Sequence, residues 1–411
     1  MQPVPPAGVV SRSERYAFVA GLAGYAAAMC WLAGAHMPIP LAVVVVLAAA
    51  AIPMGLLYVL VIRAHRNESS GLDFSRPPQP FNFERTLVKY LGFVGTIGFI
   101  LFGYWLLREY HQGFYDTFKQ LGAFLPWFVL GAFPYFLWVD SRMVRPEDGY
   151  WQAGCLLLGR WRHTDRVILR GYALGWLVKA FFMPLMVVFL GSNLRDLFQA
   201  GFHPVTIIQY HDVGWRLLIG ADVLFACMGY IFTVRVFDSH IRSAEPTLLG
   251  WVSALACYPP FWGFLEAQYF SYYGRFAWDI WLKDSPTMLS IWSGMILGLM
   301  AIYGWATLVF GFRFSNLTHR GIIAHGPYRW MKHPAYWSKN LSWWLIDIPF
   351  ISSANWQEGV QHCIMLLALN GIYAMRAWTE ERHLGADPAY RQYSSWIAEH
   401  GLFARIRRSI R

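Results

Sequence analysis

The sequence has little charge for its length. Only 14% of its residues are Asp, Glu, Lys or Arg, whereas a typical soluble domain carries about 25%. Hydrophobic residues make up 56% of the chain, and apolar runs of about 20 residues, long enough to cross a bilayer, recur along it. The low charge argues against an ordinary soluble domain and predicts an integral membrane protein.

Cysteine is also scarce. The five cysteines are dispersed and form no CxxC pair, so the sequence indicates neither a disulfide framework nor a zinc ribbon. The net charge of +10 raises the question of a nucleic-acid surface. The basic residues stand between the apolar runs, however, and membrane topology explains them better. We therefore expect the bilayer as a partner, with no nucleic acid and no bound metal.

Ten apolar runs predict an all-α, polytopic transmembrane bundle. The predicted spans cover residues 16–35, 38–62, 87–107, 121–139, 171–191, 214–236, 248–270, 287–311, 336–353 and 359–377. Pro259 and Pro260 should interrupt the seventh span, and the short ninth is a candidate re-entrant segment. With the N-terminus in the cytosol, 27 of the 34 Lys and Arg residues lie on the cytosolic side. The positive-inside rule therefore predicts that both termini are cytosolic.

Three segments follow from this reading. Residues 1–85 form a two-span hairpin with a polar, Pro-rich cytosolic linker, and residues 86–285 form an additional bundle. Residues 286–411 carry the densest polar clusters. Glu266 and Tyr269 stand in the aromatic seventh span, where a buried carboxylate is costly, and they are candidates to line a lipid tunnel.

Two polar clusters flank the last two predicted spans on the same membrane face. The first is RFSNLTHRGIIAHGPYRWMKHPAYWSKN, residues 313–340, and the second begins at Arg376 with RAWTEERHLGADPAYRQY. Gly326-Pro327 suits a tight turn, and Pro334 suits a first helical turn. Arg376 and Glu380 are neighbours on a helix face, where Arg376 is suited to a carboxylate and both Glu380 and Glu381 to an ammonium group. The sequence alone fits either a zwitterionic, adenine-containing cofactor or a collar that binds lipid headgroups.

GPYRWMKHPAY, followed by RAWTEERHL and PAYRQY, resembles the isoprenylcysteine carboxyl methyltransferase family, part of a wider group that includes phospholipid N-methyltransferases. The resemblance covers about residues 286–405. It implies an S-adenosylmethionine-dependent methyltransferase with a cytosolic cofactor pocket and a lipid or lipid-tailed acceptor that enters from the bilayer. A carboxylate acceptor implies methyl ester formation.

The resemblance also implies roles for particular residues. The cofactor-binding set is Gly326, Pro327, Tyr328, Arg329, His333, Pro334, Tyr336, Glu380, Glu381 and Tyr390. Arg376, His333 and Glu380 form the catalytic set, with Arg376 orienting a carboxylate. Lys332 replaces an arginine of the family pattern. Trp337 and Asn340 stand where family members usually have a small residue, so they are candidates for acceptor contacts.

Two other functions remain open. Membrane sterol-type C=C reductases, which use NADPH, have about ten spans and an HP-x-Y segment that His333, Pro334 and Tyr336 would satisfy. A non-enzymatic transporter or scaffold is the second alternative. The spacings among His319, His325 and His333 fit no di-iron histidine box.

Overall fold

The computed structural model describes residues 16–35, 37–108, 122–263, 265, 278–349 and 355–410. These residues form fourteen α-helices, which we number along the chain: α1 Ala17–Leu32, α2 Ile39–Leu56, α3 Phe83–Leu106, α4 Leu125–Asp140, α5 Gly149–Leu157, α6 Arg166–Ala200, α7 Ile207–Ile231, α8 Leu248–Leu255, α9 Trp278–Trp281, α10 Pro286–Leu308, α11 Pro334–Asp347, α12 Trp356–Leu384, α13 Pro388–His400 and α14 Leu402–Ile410. The only strands among them are β1 Ser243–Ala244 and β2 Thr318–His319, which agrees with the predicted all-α class.

Helix starts are set by polar caps in the sequence. The Asp165 side chain accepts a hydrogen bond from the Val167 N–H at 2.7 Å and so caps α6. Thr206 and Gln209 form a capping box at the start of α7. Such caps satisfy backbone donors that the first turn leaves without an acceptor, and they fix where the apolar segments begin.

Among the described residues, six helices are long and apolar enough to cross a membrane. They are Ile39–Val61, Phe83–Leu106, Gly122–Asp140, Arg166–Ala200, Ile207–Ile231 and Pro286–Leu308, and they match the second to sixth and the eighth predicted spans. The first predicted span is an apolar helix of 16 residues. The membrane character of the chain is thus supported, whereas the total of ten spans and the orientation stay predictions.

The seventh, ninth and tenth predicted spans differ in regularity. The seventh is broken, since α8 ends at Leu255, shortly before Pro259 and Pro260, as their presence predicted. The ninth is the 14-residue α11, which ends where Ile348 adopts a left-handed conformation with φ 39°. The tenth is part of the 29-residue α12, whose charged second half continues well beyond the predicted span.

The largest core joins all three segments of the sequence. The α1–α2 hairpin packs against α6 and α7 through side chains such as Met54, Leu190 and Phe225, all of which are fully buried. Phe312, which follows α10, belongs to the same core. The N-terminal hairpin is therefore packed into the body of the protein, and the core crosses the segment boundaries at residues 85 and 285.

A buried carboxylate ties the linker after α2 to the rest of the chain. Asp238 is fully buried and accepts hydrogen bonds from Asn67 at 3.2 Å and Ser69 at 2.5 Å. It also pairs with Arg313 at 2.8 Å and Arg242 at 3.3 Å. Because its charge is matched by two guanidinium groups, Asp238 can be buried, and it fixes the segment after α10 that leads to the site.

Candidate functional site

The first wall of the site is the segment between β2 and α11. β2 pairs antiparallel with β1, with Ser243 opposite His319, and this pairing positions the polar segment that follows. Gly326 begins a short 3₁₀ helix, Gly326–Arg329, with φ +60°. A Cβ there would lie 2.8 Å from the Val309 Cγ1 atom. A glycine is needed at this position for both reasons.

The second wall is the charged end of α12. Arg376, Glu380 and Glu381 all lie on this helix, so Arg376 and Glu380 are one turn apart, as predicted. His333 directly precedes α11, whose first residue is Pro334. The two polar clusters of the sequence are therefore carried by consecutive helices.

Glu381 joins the two walls. Its Oε1 atom lies 2.9 Å from His333 Nε2, and its Oε2 atom accepts a hydrogen bond from Lys332 Nζ at 2.8 Å. The hydrogen bond with His333 and the neighbouring Lys332 ammonium lower the pKa of Glu381 to about 2, which keeps the carboxylate charged. Since both oxygens are engaged, Glu381 holds the walls together rather than offering a free carboxylate to a ligand.

Glu380 lies beside this contact and faces the cavity. Its Oε2 atom accepts a hydrogen bond from the Tyr336 hydroxyl at 2.8 Å. The Tyr336 ring stacks on His333, with 5.4 Å between ring centroids and 4° between planes. Glu380 is about half exposed, and it is the only carboxylate among the described residues that line the cavity.

Arg376 is buried deeper in the same space. Its guanidinium donates to Asn316 Oδ1 and lies 5.6 Å from the ring centre of Tyr258 and 5.2 Å from that of Tyr336. Asn316 is held in turn by its Nδ2–H bond to the Tyr258 hydroxyl at 3.1 Å. No carboxylate of the described residues pairs with Arg376, so this cation is available to an anionic group.

Between the walls lies a cavity with about 1100 Å³ of empty space, including its mouth. Six of the predicted site residues line it: Tyr328, His333, Tyr336, Arg376, Glu380 and Tyr390. Gly326, Pro327, Arg329, Pro334 and Glu381 are absent from the lining, and they shape or support the walls.

The predicted acceptor residues are placed differently. Trp337 is 57% exposed and packs against Phe403, with 5.2 Å between ring centroids. Asn340 donates to the Tyr336 carbonyl and accepts from Asn370, each at 2.7 Å. Neither side chain lines the cavity. Glu266 and Tyr269 lie outside the described residues.

Several lining residues were not singled out in the sequence. Asn316, His319 and Arg320 belong to the first polar cluster but not to the motif that resembles the methyltransferases. Lys339 follows the motif, and its Nζ atom lies 5.2 Å from the ring centre of Tyr303 and 5.4 Å from that of Trp343. The density of polar residues at 313–340 was the available signal, although it did not distinguish lining residues from supporting ones.

Comparisons with protein-family models, with curated proteins and with solved structures found no match. The chemistry of the site therefore has to be argued from its geometry. That geometry combines one half-exposed carboxylate, a buried arginine without an acidic partner among the described residues, and several tyrosines around one cavity.

Proposed function

We propose that this chain is an integral membrane S-adenosylmethionine-dependent methyltransferase that forms a methyl ester on the carboxylate of a lipid or lipid-tailed acceptor. The observation that carries the proposal is the contact between the two motifs. His333 and Lys332 bind Glu381, and Tyr336 binds Glu380. Beside this contact lies the cavity, and six of the residues that the resemblance associates with the cofactor or with catalysis line it.

Two lining residues match the charges at the amino-acid end of such a cofactor. Glu380 supplies a carboxylate for an ammonium group, and Arg376 supplies a guanidinium for a carboxylate. The Tyr390 hydroxyl is buried without a hydrogen-bond partner, which leaves it available to a polar ligand atom. Tyr328 adds an aromatic face for the base. S-adenosylmethionine, when bound, supplies an electrophilic methyl group on a sulfonium.

The protein has little covalent chemistry to perform. A carboxylate acceptor is already nucleophilic, so no side chain has to remove a proton from it. The role of the walls is to align the two reactants and to exclude water. Arg376 orients a carboxylate, and the stacked His333 and Tyr336 rings form part of the cavity lining.

The first test is cofactor binding by isothermal titration calorimetry on the full-length protein in detergent. We expect S-adenosylmethionine to bind and NADPH not to bind. Glu380→Gln should weaken binding about tenfold to hundredfold, because a charge-assisted hydrogen bond contributes about 1.5–3 kcal/mol. Glu399→Gln, at a 74% exposed carboxylate outside the cavity, is the matched control.

Each alternative predicts a different result. Binding of NADPH in place of S-adenosylmethionine would support the membrane reductase. Unchanged S-adenosylmethionine binding in both Glu380→Gln and His333→Ala would place the cofactor elsewhere. The second test is incubation with radiolabelled cofactor and a total lipid extract, in which label should enter a base-labile lipid. Label that resists mild base would contradict carboxyl methylation.

A further inference from the structure

Arg320 is a buried cation whose charge no side chain of the described residues balances. It follows β2 directly and is only 2% exposed. Its Nη1 atom donates to two backbone carbonyls, those of Gly229 at 2.5 Å and Phe312 at 3.4 Å. Its Nε and Nη2 atoms have no hydrogen-bond partner.

This arrangement is unusual on energetic grounds. A buried guanidinium normally pairs with a carboxylate, because an isolated charge is costly to remove from water. Burial lowers the pKa of Arg320 to about 10, so the group is still charged at neutral pH. Two backbone carbonyls satisfy only part of its five-donor fork, and no acceptor among the described residues binds the Nε and Nη2 donors.

Arg320 lines the same cavity as Arg376. The two are linked through Tyr230 and Asn316. The Arg320 guanidinium lies 5.9 Å from the ring centre of Tyr230, whose hydroxyl accepts a hydrogen bond from the Asn316 backbone N–H at 2.9 Å, and Asn316 Oδ1 in turn accepts from Arg376. Arg320 and Arg376 together form what we call the inner wall of the cavity, and neither arginine has a carboxylate partner among the described residues.

The surroundings favour an anion that carries a lipid tail. Beyond the arginines, the cavity is lined by Phe310 and Phe314, and by Tyr303 and Thr307 of α10, one of the helices suited to cross the membrane. A small hydrated anion gains nothing from aromatic walls, whereas an alkyl or isoprenoid chain does. A cavity that offers both guanidinium groups and aromatic side chains suits the two ends of an amphiphile.

We propose that Arg320 binds the oxyanion of a lipid-borne carboxylate at the inner wall of the cavity, beside Arg376, which holds the carboxylate of the cofactor in the proposed function. This inference deepens the proposed function, on which its description of the lipid as an acceptor rests. A buried guanidinium at this position would favour an anionic lipid over a neutral one. Arg320 would thus determine acceptor specificity, a role separate from cofactor binding.

The test compares myristic acid with myristyl alcohol, which have the same tail, by calorimetry on the full-length protein in a neutral detergent. We expect the acid to bind at least tenfold more tightly than the alcohol. Arg320→Met should remove that preference while leaving alcohol binding unchanged. Arg391→Met is the matched control, since Arg391 also donates to backbone carbonyls, those of Gly385 and Ala386, but is exposed and lies outside the cavity.

Thermal unfolding separates binding from folding. Because no side chain of the described residues balances the charge of Arg320, Arg320→Met should unfold no earlier than the wild type without ligand, and it should lose the stabilisation that myristic acid gives the wild type. Arg320→Lys, which keeps the charge but not the fork, should bind the acid more weakly than the wild type. An acid preference that persists in Arg320→Met would overturn the proposal, and so would wild-type affinity in Arg320→Lys.

Three further outcomes are decisive. Equal affinity for sodium phosphate and for myristic acid would refute the lipid source of the anion. Acid binding that depends on Arg320 in a protein that binds no S-adenosylmethionine would support the anion site and refute the methyltransferase. Cofactor binding without Arg320-dependent acid binding would refute the anion site and leave the proposed methyltransferase supported.

Discussion

Glu381 provides the sharpest test of how the two walls are held together. Glu381→Gln keeps the shape of the side chain but removes its charge, which weakens the bonds to His333 and Lys332. The pKa of Glu381 falls from 4.5 to about 2 on folding. At about 1.36 kcal/mol for each pKa unit, the upper limit of this stabilisation is about 3.4 kcal/mol.

The carboxylate is 34% exposed, so solvent screening reduces this figure. We expect Glu381→Gln to lower the free energy of unfolding at neutral pH by about 1–2 kcal/mol. Denaturant unfolding in mixed detergent, followed by tryptophan fluorescence, measures the change. Glu399→Gln, at an exposed carboxylate, should leave the free energy of unfolding unchanged.

The pH dependence has a definite sign. A carboxylate with a lowered pKa stabilises the folded state fully above its unfolded pKa of 4.5, and this stabilisation is lost as the pH falls from 4.5 to 2. The difference between the wild type and Glu381→Gln should therefore shrink over that interval. A double-mutant cycle with His333→Gln should give a coupling of about 1 kcal/mol. A coupling near zero, or a stability difference that does not change with pH, would refute this account of the wall contact.

Three further predictions concern neighbouring residues. Gly326→Ala should lower the free energy of unfolding by about 1–2 kcal/mol, because φ is +60° and the added Cβ would meet Val309. Gly371→Ala, where no atom lies within 4 Å of the added Cβ, should not lower it. Equal effects of the two substitutions in denaturant unfolding would contradict this reasoning. Tyr336→Phe removes the hydrogen bond to Glu380 and should weaken S-adenosylmethionine binding about fivefold in calorimetry. Unchanged affinity would show that this hydrogen bond does not contribute to cofactor binding. Burial lowers the pKa of His319 from 6.5 to about 4, so the contribution of the neutral imidazole to stability should be full above pH 6.5 and fall towards pH 4. His319→Gln should flatten the profile of stability against pH over that interval. An unaltered profile would show that another group titrates there.

The sequence predicted those parts of the molecule that depend on local patterns. Six of the helices were recognisable because hydropathy is read over about 20 consecutive residues. The start of α11 at Pro334 and the shared helix face of Arg376 and Glu380 follow from proline geometry and helical spacing. Each of these features depends on residues close together in the chain.

The inner wall could not be predicted in this way. Arg320 resembles any other basic residue of its cluster until α7 brings the Gly229 carbonyl, 91 residues earlier in the chain, against it. Asn340 was a candidate for acceptor contact, yet its amide is engaged by Asn370 of the neighbouring helix. Tertiary packing decides whether a polar side chain faces the cavity or joins two helices. Local spacing in the sequence does not predict that packing.

The contacts of Gly229 and Asp238 bear on how this protein can be divided or recombined. The segment that resembles the methyltransferases begins at about residue 286, yet Arg320 depends on the Gly229 carbonyl and Arg313 on the Asp238 carboxylate. Asp238 in turn binds the linker after α2. A polypeptide made from only the last third of the chain would therefore lack the residues that hold the inner wall in place. A chimaera designed to exchange acceptor preference should also exchange α7 and the loop that follows it.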